Sequence, residues 1–286
     1  MDPLIVTVLS GVKYSTEFPE NLSNGCRRES RRRVRFVCFT DRDDILLGED
    51  HRKIGAVNYV KLPSERWGLD GWWWKIWVFS EECDALLRSH VGGYKRIIWI
   101  DLDTVLCGDI GFLLMARGFK ILHDIYAENQ WGSAVMVIPR LFCTEIWHRF
   151  RRKYLVSTGR TATPAVVPQG AADKPWRKRS GGDQLWLRWL ANEKVFKVPK
   201  DWCLQWEFPG RLVSYKGKRM QTEAKLLEGL NPECREATNG KKTLKTSGSL
   251  RALLSVILFH GRPLLTTAIG SDERLHAKWR GPVASA

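Results

Sequence analysis

Asp101 and Asp103 stand two residues apart at the end of an apolar run, Ile97-Ile98-Trp99-Ile100. A stretch rich in β-branched and aromatic residues that closes on charge reads as a buried strand whose carboxyl end leaves the core. Ligands of open α/β sheets bind at that end of the strands. Two carboxylates there, flanking Leu102, form a hard-oxygen pair for Mg²⁺ or Mn²⁺, and such an ion can hold a diphosphate. Two aspartates at this spacing also cap loops, so the reading depends on what the rest of the chain brings beside them.

Other apolar runs end on polar residues in the same way: Ser10-Gly11, Thr40-Asp41 and His260-Gly261-Arg262. If those strands are parallel neighbours, their ends converge on one edge of a sheet. Asp101, Asp103 and His260 then offer two oxygens and an imidazole nitrogen, a mixed set that suits Mn²⁺ better than Ca²⁺. Arg262 is placed to neutralise a phosphate, and Gly261 lets backbone approach it closely. Thr40 and Asp41 are suited to hydrogen-bond a nucleobase edge, and Tyr14 to stack on its face. Singly, His260 reads as a satisfied structural histidine and Tyr14 as packing.

The elements that must position these groups alternate along the chain. Continuous apolar runs predict strands over 4–9, 34–39, 57–62, 97–100, 134–138 and 255–259, with short strands over 195–198 and 212–215. Helical spacing marks 73–87, 141–154 and 183–190, and 225–230 suggests a short helix. Strands separated by segments of roughly twenty residues suggest parallel βαβ units. Residues 157–182 break into Thr, Pro, Gly, Ala and basic residues and read as a loop or lid. Residues 231–249 are polar and irregular, and 266–286 read as a loosely ordered tail. No linker divides the chain, so a single domain over 1–265 is expected.

Composition sets the outer bounds. The 286 residues, 44% of them apolar, suffice for a substantial core. No run of about eighteen apolar residues is present, so no transmembrane helix is expected, and the opening residues read as a first strand rather than a signal peptide. Seven cysteines, odd in number and widely spaced, argue against a zinc site or a disulfide framework and suit a reducing cytoplasm. The formal charge is +15, and the excess is clustered: Arg27-Arg28, Arg31-Arg32-Arg33, and segments 149–153, 174–179, 216–219 and 241–245. Such clusters predict a polyanionic partner, although each alone is also an ordinary solvated face. Fourteen tryptophans supply aromatics of the kind that a stacking, phosphate-tracking groove uses, and many of them must be core.

The order Phe39-Thr40-Asp41, Trp73-Trp74-Lys75, Ile100-Asp101-Leu102-Asp103, Ser133-Ala134-Val135-Met136, Gly182-Asp183-Gln184, Ser214-Tyr215-Lys216 and Phe259-His260-Gly261-Arg262-Pro263 resembles metal-dependent GT-A glycosyltransferases. The likeness is to the family 8 type, which includes glycogenin and bacterial lipopolysaccharide galactosyltransferases. It covers roughly residues 4 to 265, and its most specific pieces are the D-x-D and the late H-G-x-P. The resemblance implies a single α/β domain with a Rossmann-like, mixed but mostly parallel sheet flanked by helices. It implies that Asp101, Asp103 and His260 bind Mn²⁺ (or Mg²⁺) and, through it, the diphosphate of a UDP-sugar. Ser10, Gly11, Tyr14, Thr40 and Asp41 would line the uridine pocket. Lys75, Leu102, Ser133, Gly261 and Arg262 would contact the donor, and Asp183 and Gln184 would sit beside the anomeric carbon. Where the family carries a lysine beside its proline, this chain has Arg262 before Pro263 and Leu264 after it.

These residues fit the chemistry. A bound metal stabilises charge on a departing phosphate, fixed cations such as Lys75 and Arg262 add to it, and a carboxylate or amide oxygen supports an oxocarbenium-like carbon. Asp183 reads equally well as a helix N-cap. The resemblance implies retention of configuration. Charge points the acceptor search to DNA carrying hydroxylated pyrimidines, as for phage-type base glycosyltransferases, in a bacterial or phage-infected cytoplasm, with base flipping to expose the hydroxyl. The competing acceptor is lipopolysaccharide or another anionic glycan or lipid. Outside this class stand a non-catalytic nucleic-acid binder on the same scaffold and a metal-dependent nucleotidyltransferase or nuclease drawing a third carboxylate from Asp109.

Overall fold

A computed structural model describes residues 3–47, 57–67, 69, 71–123, 131–156, 182–204, 212–216, 256–260 and 279. Along the chain the strands are β1 (Leu4–Leu9), β2 (Arg35–Thr40), β3 (Asn58–Lys61), β4 (Arg96–Ile100), β5 (Thr104–Leu106), β6 (Lys120–His123), β7 (Trp131–Pro139), β8 (Leu212–Lys216) and β9 (Val256–His260). The helices are α1 (Glu17–Glu29), α2 (Asp43–Leu47), α3 (Ser64–Trp67), α4 (Trp74–Trp77), α5 (Glu81–Val91), α6 (Gly111–Met115), α7 (Glu145–Phe150) and α8 (Gly182–Asn192).

Six strands form one sheet in the order β3-β2-β1-β4-β7-β6. The first four run parallel, and β7 and β6 are added antiparallel. Both faces are covered, which is why the strands read as continuous apolar runs rather than alternating ones. Alternate residues feed opposite layers. Ile5, Leu9, Phe36, Cys38, Ile98 and Ile100 pack with Phe18 and Leu22 of α1. Leu4, Val6, Val37, Phe39, Ile97 and Trp99 pack with Trp74, Trp77, Leu87, Trp147 and Trp186 on the other side. Most of the tryptophans are thus core, as in the edge-to-face pair Trp74–Trp77.

A second, three-stranded sheet has the order β5-β9-β8. β9 runs antiparallel to β5 and parallel to β8. The expectation that the strand ending in His260 is a parallel neighbour of the Asp101 strand is therefore corrected: it reaches the same region from a different sheet.

Local chemistry explains the other departures. The helix expected over 73–87 is interrupted because the Ser80 hydroxyl accepts a 3.0 Å hydrogen bond from the Cys83 amide and caps α5. The helix expected over 141–154 starts later, since Leu141 and Cys143 adopt left-handed φ of 54° and 45°, and it continues past α7 as a π-helical turn over Arg151–Val156. Residues 195–198 are irregular rather than a strand. The loop or lid expected over 157–182 (apart from Gly182), the short helix over 225–230, and the tail apart from Trp279 lie outside the described residues.

Candidate active site

Parallel pairing of β1 with β2 and β4 brings the segments after Leu9, Thr40 and Ile100 to one edge of the main sheet. At the first junction the Asp41 carboxylate accepts from the Ser10 hydroxyl at 2.7 Å and from the Gly11 amide at 3.0 Å. Gly11 reaches that position at φ 66°, in the left-handed region that favours glycine. Thr40 is fully buried, and its hydroxyl accepts from the Arg42 amide at 3.2 Å. It shapes this turn rather than facing outward.

At the second junction the Asp101 amide is held by the Ala134 carbonyl of β7 at 2.9 Å. The Asp101 carboxylate is gripped at both oxygens. Trp99 Nε1 donates to Oδ1 at 2.7 Å, and Lys75 Nζ donates to Oδ2 at 2.8 Å. Trp99 lies two residues before Asp101, so strand alternation puts both side chains on one side. Leu102 turns into the core. Asp103 Oδ2 accepts from the Tyr14 hydroxyl at 3.0 Å, and the Tyr14 ring is flanked by Phe18 and by the Lys13 ammonium, 4.5 Å from its centroid.

Lys75, on α4, is only 7% exposed. Its ammonium also donates to Ser133 Oγ at 3.2 Å and lies 3.6 Å from Asp183 Oδ2. Asp183 belongs to the first turn of α8, one residue past its start, so it is not an N-cap. It is 4% exposed, and its Oδ2 accepts no hydrogen bond among the described residues. Gly182 before it has φ 40°, and a Cβ there would stand 2.6 Å from Trp72 Nε1. Gln184 follows, partly buried.

Electrostatics tie these groups together. Burial alone would drive the proton off Lys75, but Asp101, Asp183 and Asp103 together outweigh it and hold the ammonium charged. Burial first, then the charge of Asp101, raises the Asp103 carboxyl above its usual range, against the Tyr14 hydrogen bond and Lys75. Burial likewise raises Asp183, with Lys75 opposing. Burial and the Asp103 charge push the Tyr14 phenol well up, so it stays a donor. Three carboxylates thus share one buried ammonium, and the cluster is short of positive charge. Among the described residues no three His, Cys, Asp or Glu side chains gather closely enough to hold a metal ion. β5 follows Asp103 directly, and Thr104 pairs with Leu258 in β9. The strand that ends in His260 therefore lies beside the segment that leaves Asp103. Gly261 and Arg262 lie outside the described residues.

Of the residues singled out in the sequence, Tyr14, Lys75, Asp101, Asp103, Ser133 and Asp183 form one connected cluster, while Ser10, Gly11 and Asp41 form a neighbouring clamp. Trp99, missed in the sequence, was accessible there through its spacing from Asp101. Asp109 is not part of the cluster: its carboxylate accepts from the Gly111 amide and faces Arg31.

No protein-family profile and no curated protein matches the chain. Solved structures do. The glycosyltransferase GlyE of Streptococcus pneumoniae TIGR4 matches with a TM-score of 0.52 at 12% identity, over 97% of this chain and 61% of its own. The galactosyltransferase LgtC, in complex with donor and acceptor sugar analogues, matches with a TM-score of 0.44 at 13% identity, over 99% and 98%. Mouse xyloside xylosyltransferase 1 in its apo form matches at 0.44 and 11%, over 92% and 98%. The fold assignment rests on GlyE: the chain has a mixed α/β sheet flanked by helices, the fold of a GT-A glycosyltransferase. It spans 61% of the length of GlyE.

Proposed function

We propose that the chain is a glycosyltransferase that moves a sugar from a UDP-sugar to a hydroxyl acceptor. The observation that carries this reading is the cluster itself: Lys75 between Asp101 and Asp183, with Asp103 beside them, at the strand ends of a glycosyltransferase fold. The donor set suits a divalent cation, because the carboxylates outnumber the buried ammonium, and Asp103 is raised first by burial and then by the charge of Asp101. Asp101 and Asp103, joined by His260, would hold Mn²⁺ or Mg²⁺. Bound there, the ion would act as a Lewis acid for the departing diphosphate.

The chain's own residues divide the remaining work. Trp99 and Lys75 fix the Asp101 carboxylate, so its orientation is set before a ligand arrives. Lys75 contributes fixed positive charge where negative charge develops on the leaving phosphate, and Arg262 would add to it. The Ser10–Gly11–Asp41 clamp, with Tyr14, would form the wall against the uridine, and Ser133 and Gly261 would flank the donor. Asp183, or the Gln184 amide oxygen, would face the anomeric carbon as its bond to the diphosphate breaks and its bond to the acceptor oxygen forms. Transfer with retention of configuration accords with the family 8 resemblance.

For the acceptor we favour hydroxymethylated pyrimidines in DNA, on the strength of the +15 charge; a lipopolysaccharide or other anionic glycan or lipid is the alternative. The deciding experiment incubates the protein with a panel of UDP-sugars, Mn²⁺ and duplex DNA carrying 5-hydroxymethylcytosine, read by mass spectrometry of the digested nucleosides. A gain of one sugar on the base establishes donor and acceptor. UDP release without base modification retains the transferase and moves the acceptor search to anionic glycans. No UDP release with any sugar, or wild-type turnover by Asp103→Ala, overturns the reading.

A further inference from the structure

A concentration of positive charge lies away from the Lys75 cluster. A pocket of about 480 Å³ is lined by Arg27, Arg32, Arg33 and Arg35, with Val34, Phe36 and Val91 as apolar wall and Asn58 at its side. These residues come from the ends of α1 and α5, the turn into β2, and the first residues of β2 and β3. The pocket therefore sits at the amino-terminal edge of the parallel strands, whereas the Lys75 cluster sits at the carboxyl edge. The six residues of β2, at ~3.3 Å each, put the two edges ~20 Å apart.

The arginines are held on a fixed frame. Ser30 is buried, donates to the Arg27 and Arg32 carbonyls at 3.3 and 2.5 Å, and accepts from the Arg32 amide at 3.3 Å. Arg31 turns the chain at φ 49°. The Glu29 carbonyl accepts from the Ile110 amide, and the Arg35 amide donates to the Pro3 carbonyl, which ties down both ends of the turn. Arg35 spans the base, donating to the carbonyls of Val91 and Gly93. Arg27, Arg32 and Arg33 are exposed around it. Of the acids on this side, Glu29 pairs with Arg28 and Asp109 faces Arg31, and neither of these two lines the pocket. Arg27 and Arg28 also offset the partial negative charge at the end of α1.

We propose that this pocket is a docking site for the phosphodiester backbone of a nucleic acid, separate from the transfer centre. Every cation that lines it is a guanidinium, which pairs with phosphate oxygens through two parallel hydrogen bonds where an ammonium acts as a point charge. Its concave shape admits phosphates that project from a strand and is poorly matched to a flat membrane surface. Because the turn is already ordered, little conformational freedom remains to be lost on binding. The inference does not depend on glycosyl transfer.

The test is fluorescence anisotropy of a fluorescein-labelled twenty-base-pair duplex with the full chain, across a salt series. The Arg32→Glu/Arg33→Glu protein is compared with Lys197→Glu/Lys200→Glu, a control with the same charge change on exposed lysines elsewhere. Thermal melting confirms that each is folded. The expected result is a loss of at least about tenfold in affinity for the arginine variant only, with a salt slope shallower by roughly 2 because two phosphate contacts are lost. Equal loss in both variants, or none in the arginine variant, overturns the proposal. So does arginine-dependent capture of phosphatidylglycerol vesicles by a protein that leaves the duplex unbound.

Discussion

The Lys75 ammonium stands 2.8 Å from Asp101, joining a helix on one face of the sheet to the carboxylate at the end of its central strand β4. With Lys75 only 7% exposed, this contact leaves a charge stranded if either partner is lost. Lys75→Met should destabilise the protein by roughly 3–5 kcal/mol, the usual consequence of breaking a buried pair. Urea unfolding measures it. A change below about 1 kcal/mol would mean that water reaches the cluster and screens it.

Trp99 grips the other oxygen of the same carboxylate. Trp99→Phe keeps the ring in the core but removes the donor to Asp101 Oδ1. Under the proposed function, the Mn²⁺ concentration for half-maximal UDP-sugar turnover should rise about 10- to 100-fold, as when an outer-shell hydrogen bond to a metal ligand is lost. An unchanged metal requirement with lowered stability would reduce Trp99 to packing.

Gly182 starts α8 under the Trp72 indole. A Cβ there would lie 2.6 Å from Trp72 Nε1, but Trp72 is 59% exposed and has room to swing away. The larger effect of Gly182→Ala should come from its left-handed φ of 40°, roughly 1–2 kcal/mol. Adding Trp72→Ala should therefore recover little of the stability. Full recovery in the double variant would make the clash the dominant cost.

Asp84 should govern part of the acid response. Hydrogen bonds from Arg140 hold its carboxyl below the usual range, against burial, with Tyr94 and Arg88 helping. A lowered pKa in the folded state stabilises the protein above the unfolded-state value and is lost as pH falls through the folded one. Wild type should thus lose this contribution below about pH 4. Asp84→Asn should lower stability at pH 7 by roughly 1.5–3 kcal/mol, and the gap to wild type should narrow under acid. A constant gap from pH 7 to pH 3 would assign the loss to shape rather than charge.

The parallel half of the main sheet was legible because its strands are covered on both faces and so appear as unbroken runs of Val, Ile, Leu and Phe. The charged residues after Ile100 stood out for the same reason. β5 and β6 escaped notice because three or four residues carry no period. Ser80, a polar residue inside an apolar helical pattern, marked the break in the helix over 73–87, since a capping serine belongs at a start. The pairing of Lys75 with Asp101 and Asp183 follows from helix packing across the sheet, which no local pattern encodes. The strand ending in His260 was visible, but its sheet was not, because pairing with β5 depends on contacts far apart in sequence.

That pairing bears on how the protein folds. β5 and β9 are about 150 residues apart along the chain, and bringing such distant strands together costs entropy that only the finished contacts return. The main sheet can close β1, β2 and β4 within the first hundred residues, so the Asp101 segment should become protected against hydrogen exchange before the strand carrying His260 arrives. Assembly of the complete cluster would then be the last step of folding, and the small sheet the first part to open.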